Sequence, residues 1–166
     1  GDKIQAKVSR LKDSDEFQAE IVKVYGKSNS AKICADAILD QYGIRTRFEK
    51  ETVAQARLVS SGAISEEDLK GRLDLRKLSI CTIDGAGAKD LDDAISVSRT
   101  KKGFRLGVHI ADVSHYVREG GALDREAFER GTSVYFADRV VPMLPEELSN
   151  GVCSLNAGTD KLAFSA

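Results

Sequence analysis

The chain has 166 residues, 42% hydrophobic and 31% charged, a balance that suits one globular domain or two small ones with a real core. No apolar run approaches the roughly 20 residues of a membrane helix, and the start of the chain lacks the basic-then-apolar layout of a secretory signal, so the cytoplasm is the expected compartment. A net charge of -1 and a pI of about 6.2 show no basic excess, which argues against a protein that simply coats nucleic acid.

In chain order, Ile4, Ala6 and Val8 alternate with polar residues, as do Phe17, Ala19 and Ile21, which predicts two strands joined by a turn over Lys12 to Asp15. Two strands rarely stand alone, so this opening reads as the tail of a β-domain and the chain as a fragment. Ser30 can cap a helix whose face carries Cys34, Ala37, Ile38 and Gln41 and which Gly43 can close. A second helix is expected from about Glu49 to Leu58, and Ser65 to Asp68 matches the S-x-x-D start of a short helical turn. Residues 28–78 therefore read as a mostly helical connector.

Ser79 to Ile83 and Ala94 to Val97 are strand-like, and Thr100 to Gly103 separates the latter from Phe104, Leu106, Val108 and Ile110 as a hairpin turn would. Asp124 can cap a helix that Gly131 stops, and Pro145 can begin another that Asn150-Gly151 ends. The cysteines Cys34, Cys81 and Cys153 lie far apart without a C-x-x-C pair, and are expected to be reduced and mostly packed.

Chemistry concentrates between the two strand-like segments, where Asp84, Asp90, Asp92 and Asp93 place four carboxylates within ten residues and Gly85 and Gly87 allow a sharp turn. At about 4 Å a carboxylate pair repels by roughly 1 to 4 kcal/mol, from water-like to surface-like surroundings, so a converged cluster calls for a counterion. Mg²⁺ suits such a site, taking a few carboxylates plus waters and phosphate oxygens, and phosphodiester hydrolysis is the expected chemistry. An EF-hand from Asp84 is excluded because Ala86, Ala88 and Ile95 stand where ligands are required, and Gly85 to Asp90 departs from a dinucleotide loop by an acidic residue in the third glycine position. A solvated turn with no metal is the remaining reading of the spacing. Basic residues such as Arg45, Arg47, Lys50, Lys70, Arg72, Arg76 and Lys77 either offset the acidic site or form solvated faces. His109 and His115 read as packed or strand-surface residues, and Tyr135 as a core or edge aromatic or a base-stacking platform.

Seven stretches resemble the ribonuclease II and ribonuclease R exoribonucleases through their RNB-type catalytic domain: Asp74 to Arg76, Thr82 to Gly85, Asp90 to Ala94, His109 to Val117, Gly131 to Tyr135, Val141 to Pro145 and Leu148 to Asn156. His109 to Val117 is closer to the ribonuclease R branch. The resemblance implies processive, hydrolytic, Mg²⁺-dependent 3′-to-5′ degradation of single-stranded RNA to nucleoside 5′-monophosphates. Residue by residue, it implies that Asp84, Asp90 and Asp93 hold metal and substrate phosphate. Asp92 matches the aspartate on which turnover depends most, and Tyr135 an aromatic that stacks near the 3′ end.

The implied fold class is α+β: the end of a cold-shock-like OB β-domain over residues 1–27, the helical connector over 28–78, and the first portion of a mixed α/β RNB catalytic domain over 79–166. The piece alone is expected to be inactive or nearly so, and the full-length protein monomeric with RNA-degradation or ribosome-associated partners. The competing readings are a catalytically silent RNA-binding relative and a structural Ca²⁺-binding β-domain.

Overall fold

In the computed structural model, which describes residues 1–136 and 138–166, the alternating runs at the start of the chain form β1 (Asp2–Arg10) and β2 (Phe17–Lys27), an antiparallel pair with Val8 opposite Ala19 and Ile4 opposite Val24. Register shifts after Lys3 and Gln5 mark bulges. The turn is held by Arg10, which donates to the Ser14 carbonyl and pairs with Asp15. Helix α1 (Ala31–Gln41) starts where the Ser30 hydroxyl accepts the Ile33 N–H. Its buried residues are Ala35, Ala37 and Leu39, whereas Ile38 is exposed, so its inner face is rotated from the one the periodicity predicts. Polar anchors account for the rotation: Asp40 takes hydrogen bonds from Lys23 and Tyr25 on β2, and Asp36 pairs with Arg139 at 2.9 Å. Gly1–Arg47 and Tyr135–Val140 form one compact unit, and Phe48–Val134 with Val141–Ala166 form the other. The stretch read as a connector is thus shared, with α1 in the first unit.

The second unit begins with α2 (Lys50–Ser60) and the single turn α3 (Glu66–Leu69). At α3 the capping box is complete, the Ser65 hydroxyl accepting the Asp68 N–H and the Asp68 carboxylate accepting the Ser65 N–H. Strands β3 (Ile80–Cys81), β4 (Asp93–Thr100) and β5 (Gly103–Ala111) follow, then α4 (Val113–Tyr116), α5 (Ala122–Arg130), the paired short strands β6 (Val134–Tyr135) and β7 (Val140–Val141), a π-helical turn over Glu147–Val152, and β8 (Ala163–Ser165). The sheet order is β3-β4-β5-β8, antiparallel throughout, and the β4–β5 turn lies over Lys101-Lys102 as the sequence predicts. The fold is mixed α+β.

Helix α5 starts differently from expectation. Its N-cap is Gly121 and not Asp124, whose carboxylate lies one turn in and accepts the Gly120 N–H at 2.8 Å. The open N–H of Leu123 is met from another helix, by Gln55 of α2 at 2.9 Å. In return Glu126 of α5 accepts the Glu49 N–H at the start of α2, so the two helix beginnings satisfy each other. Gly131, at φ 71, ends α5 in the left-handed region that glycine enters without strain. Ala56, Ala111, Tyr116, Leu123, Leu144, Leu148, Cys153 and Leu162 form the core, which draws on α2, α4, α5 and the π-helical turn and meets the sheet at the last residue of β5.

Candidate active site

The acidic segment leaves β3 after Cys81 and enters β4 at Asp93. Because Cys81 pairs with Ile95 and Ile80 with Ser96, the two strands run antiparallel, and the segment's Asp84 and Asp92 ends lie at the same end of the sheet. The chain reverses between them through a turn in which the Ala88 N–H donates to the Gly85 carbonyl at 2.9 Å. Neither Gly85 nor Gly87 has positive φ, and a Cβ on either would meet nothing within 4 Å, so this turn does not depend on glycine's extra freedom.

The second half of the segment is tied down by its main chain. The Ser154 hydroxyl donates to the Lys89 carbonyl at 2.8 Å and accepts the Leu91 N–H at 3.0 Å. Leu155 N–H donates to the Leu91 carbonyl at 2.7 Å, and Ala111 N–H to the Asp92 carbonyl at 2.9 Å. Asp93 is already in the sheet, opposite Ile110. The backbone around Asp90, Asp92 and Asp93 is therefore fixed, while all four aspartates, Asp84 included, are exposed to water.

Among the described residues, no three His, Cys, Asp or Glu side chains come together as a metal-holding group, so the tight convergence expected from spacing is not seen. Exposed to water and not drawn into a tight cluster, the carboxylates repel one another little, since even a pair at about 4 Å is screened to roughly 1 kcal/mol. As a donor set they fit a hard divalent cation: every group is a carboxylate oxygen, and Mg²⁺ commonly takes one or two protein carboxylates and completes its shell with water and phosphate. Tyr135 is exposed on β6 and belongs to the first compact unit, whereas the aspartates belong to the second.

Just beyond β5, Asp112 is largely buried and binds the Arg72 guanidinium at 2.6 Å and the Ser114 hydroxyl at 2.8 Å. Burial pushes its carboxyl up, but these partners outweigh it and hold the group below its ordinary value. Arg76 grips Asp74 at 2.8 Å and reaches Asp160 at 3.2 Å, holding the Asp74 carboxyl down to about 2. Arg72 and Arg76 are thus structural partners of particular carboxylates. His109 is buried between the Ser96 and Ser165 hydroxyls at 3.0 and 2.8 Å, in keeping with a packing role. A cavity of about 210 Å³ lies between Val59, Ile64, Asp68, His115 and Tyr116, and none of the four aspartates lines it. Neither the role of Ser154 nor the Arg72–Asp112 pair, whose members are 40 residues apart, is legible in the sequence. Ser154 lies within the Leu148 to Asn156 stretch that carries the resemblance, but nothing near it in the chain gives it a role, because its partners are 63 and 65 residues away.

The class defined by these features is a mixed α+β domain whose antiparallel sheet carries, at one end, an exposed aspartate loop with a pinned backbone. The chain belongs to the RNB domain family, whose model matches residues 72–166. It is 49% identical over 151 residues to ribonuclease R of Thermotoga maritima, an alignment covering 89% of this chain and 21% of that protein. The chain thus spans about a fifth of that relative's length. Its structure matches Mycoplasma genitalium RNase R in complex with double-stranded RNA with a TM-score of 0.80 and 36% identity, over 95% of this chain and 28% of that one. Yeast Ssd1, a pseudonuclease, shares the fold at a TM-score of 0.69 with 21% identity, over 96% of this chain and 20% of that one.

Proposed function

We propose that the full-length protein carrying this segment is a Mg²⁺-dependent exoribonuclease that degrades single-stranded RNA processively from 3′ to 5′ by hydrolysis, releasing nucleoside 5′-monophosphates. The observation that carries this reading is the loop Thr82 to Asp93 in an RNB-family chain: four exposed carboxylates, with the backbone from Lys89 to Asp92 held by hydrogen bonds. In it Asp84, Asp90 and Asp93 hold the metal and the substrate phosphate, Asp92 governs turnover, and Tyr135 stacks on a base near the 3′ end. A bound divalent ion supplies charge to the phosphate and activates water. The protein's own contribution is to present carboxylates from a loop whose backbone at Asp90 and Asp92 is already held by hydrogen bonds.

The same reading takes residues 1–27 as the end of a cold-shock-like OB domain, 28–78 as a connector and 79–166 as the first portion of the catalytic domain. It places a monomeric protein in the cytoplasm, with RNA-degradation or ribosome-associated partners. Support for RNA as the ligand comes from the likeness to an RNase R solved with RNA.

The test is Asp92→Asn in the full-length protein. Hydrolysis of a 3′-labelled oligoribonucleotide should fall by about 10²-fold or more while its binding affinity stays within about threefold. Unchanged hydrolysis removes the role given to Asp92. The second reading is a silent RNA-binding relative, favoured by the fold shared with a pseudonuclease. It requires RNA binding by the unaltered protein with no release of mononucleotides at any Mg²⁺ concentration.

A further inference from the structure

Ser154 is fully buried, at 0% exposure, and its hydroxyl both donates and accepts. Its hydroxyl is a donor to Lys89 and an acceptor from Leu91, so it grips the chain on both sides of Asp90 and one residue before Asp92. Its own N–H donates to the Gly151 carbonyl at 3.1 Å, which holds it at the end of the π-helical turn, and the next residue, Leu155, adds its bond to Leu91. Lys89, Asp90 and Asp92 are exposed and Leu91 only half-buried, so this stretch has little side-chain burial to define its path. Polar ties to the main chain must define it. Serine suits the position because one small atom both donates and accepts. Alanine would leave a carbonyl and an N–H without that partner beside a buried residue.

We infer that Ser154 is a positioning residue for Asp90 and Asp92, setting the loop backbone from which both carboxylates act; this rests on the exoribonuclease reading of the loop. Its effect falls on turnover more than on RNA binding, because a displacement of about 1 Å in a reacting group can lower a rate by 10²-fold.

The test compares full-length protein with Ser154→Ala and with Ser154→Cys, which keeps the side-chain shape with a slightly larger atom and weakens both hydrogen bonds, beside Leu123→Ala, a core variant on α5. Three quantities are read: kcat and KM on a single-stranded oligoribonucleotide, and amide hydrogen exchange in the 89–92 segment of metal-free protein. We expect Ser154→Ala to lower kcat about tenfold or more with KM changed less than about threefold, and to speed exchange at Leu91 by about tenfold or more. Leu123→Ala, even at a larger loss of thermal stability, should keep the kcat of its folded fraction and the Leu91 exchange rate. If Ser154→Ala does not fold, Ser154→Cys carries the same comparison. Wild-type turnover with unchanged kcat or unchanged Leu91 exchange in the Ser154 variant overturns the inference alone. An inactive wild-type protein overturns the exoribonuclease reading and the inference together.

Discussion

The Glu126 carboxylate holds the Arg130 guanidinium at 2.8 Å one helical turn away, with the two side chains only 4% and 6% exposed. The guanidinium also lies over the Phe48 ring, 3.8 Å from its centroid, and the carboxylate takes the Glu49 N–H at 3.0 Å. One pair therefore ties the C-terminal end of α5 to the start of α2. Removing one partner strands the other charge away from water, which typically costs about 3 to 5 kcal/mol. Glu126→Ala should lose stability on that scale, and Glu126→Leu with Arg130→Met should recover most of it. Urea denaturation of the three proteins checks both statements, and an equal loss in the double variant would refute the stranded-charge account.

The same carboxylate gives a pH dependence with a definite sign. Burial pushes Glu126 up, but hydrogen bonds from Thr52, Arg130 and the Glu49 N–H outweigh it and hold the group below its ordinary value of 4.5. A carboxyl lowered on folding contributes stability that is fully present above its unfolded value and is lost as pH falls through the folded one. Asp112 acts in the same direction from an ordinary value of 3.8. The melting-temperature gap between wild type and Glu126→Gln should therefore be constant at neutral pH and narrow as pH drops below 4.5. A gap that widens on acidification would contradict this.

Gly107 faces Ser96 across the β4–β5 ladder, and a Cβ there would sit 2.6 Å from the Ser96 Oγ and 3.1 Å from His109 Nε2. Gly107→Ala must push the hydroxyl off the buried histidine, whose other ring nitrogen is bound to the Ser165 hydroxyl. Overpacking and a weakened buried hydrogen bond together should cost about 1 to 3 kcal/mol. Adding Ser96→Ala relieves the clash, so the two changes should be less than additive in a double-mutant cycle. Simple additivity would mean that the ladder shifts instead.

The thiols should differ in reactivity. Cys81 is exposed, Cys34 is half-buried with its thiol on the Ser28 carbonyl at 3.3 Å, and Cys153 is buried with its pKa pushed up to about 11 by burial. Iodoacetamide near neutral pH should label Cys81 first and Cys153 only on unfolding, as followed by peptide mass mapping. Early labelling of Cys153 would mean that the core around Leu148 and Leu162 opens readily.

The sequence alone determined what is settled by neighbours in the chain. Period-two alternation fixed β1, β2 and the β4–β5 hairpin, because side chains of a strand alternate between faces regardless of what covers them. Ser30 and Ser65 were legible as helix starts because an N-cap bond closes within three residues. The aspartate segment was legible as composition, since four carboxylates in ten residues need no fold to be counted.

Tertiary structure decided the rest, because its partners are distant in the chain. Asp124 reads as a natural cap, but the α5 start is completed by Gln55, 68 residues away, so Gly121 takes the cap position. The inner face of α1 follows Lys23, Tyr25 and Arg139 as well as its own periodicity. For the aspartate loop, spacing suggested a turn shaped by glycine and carboxylates drawn together, whereas the fold shows ordinary φ at Gly85 and Gly87, exposed carboxylates, and a backbone held by Ser154. The stretch Leu148 to Asn156 is legible as a resemblance, but which loop the Ser154 hydroxyl bonds is not, because the partner is more than 60 residues away and only folding brings it to Leu91.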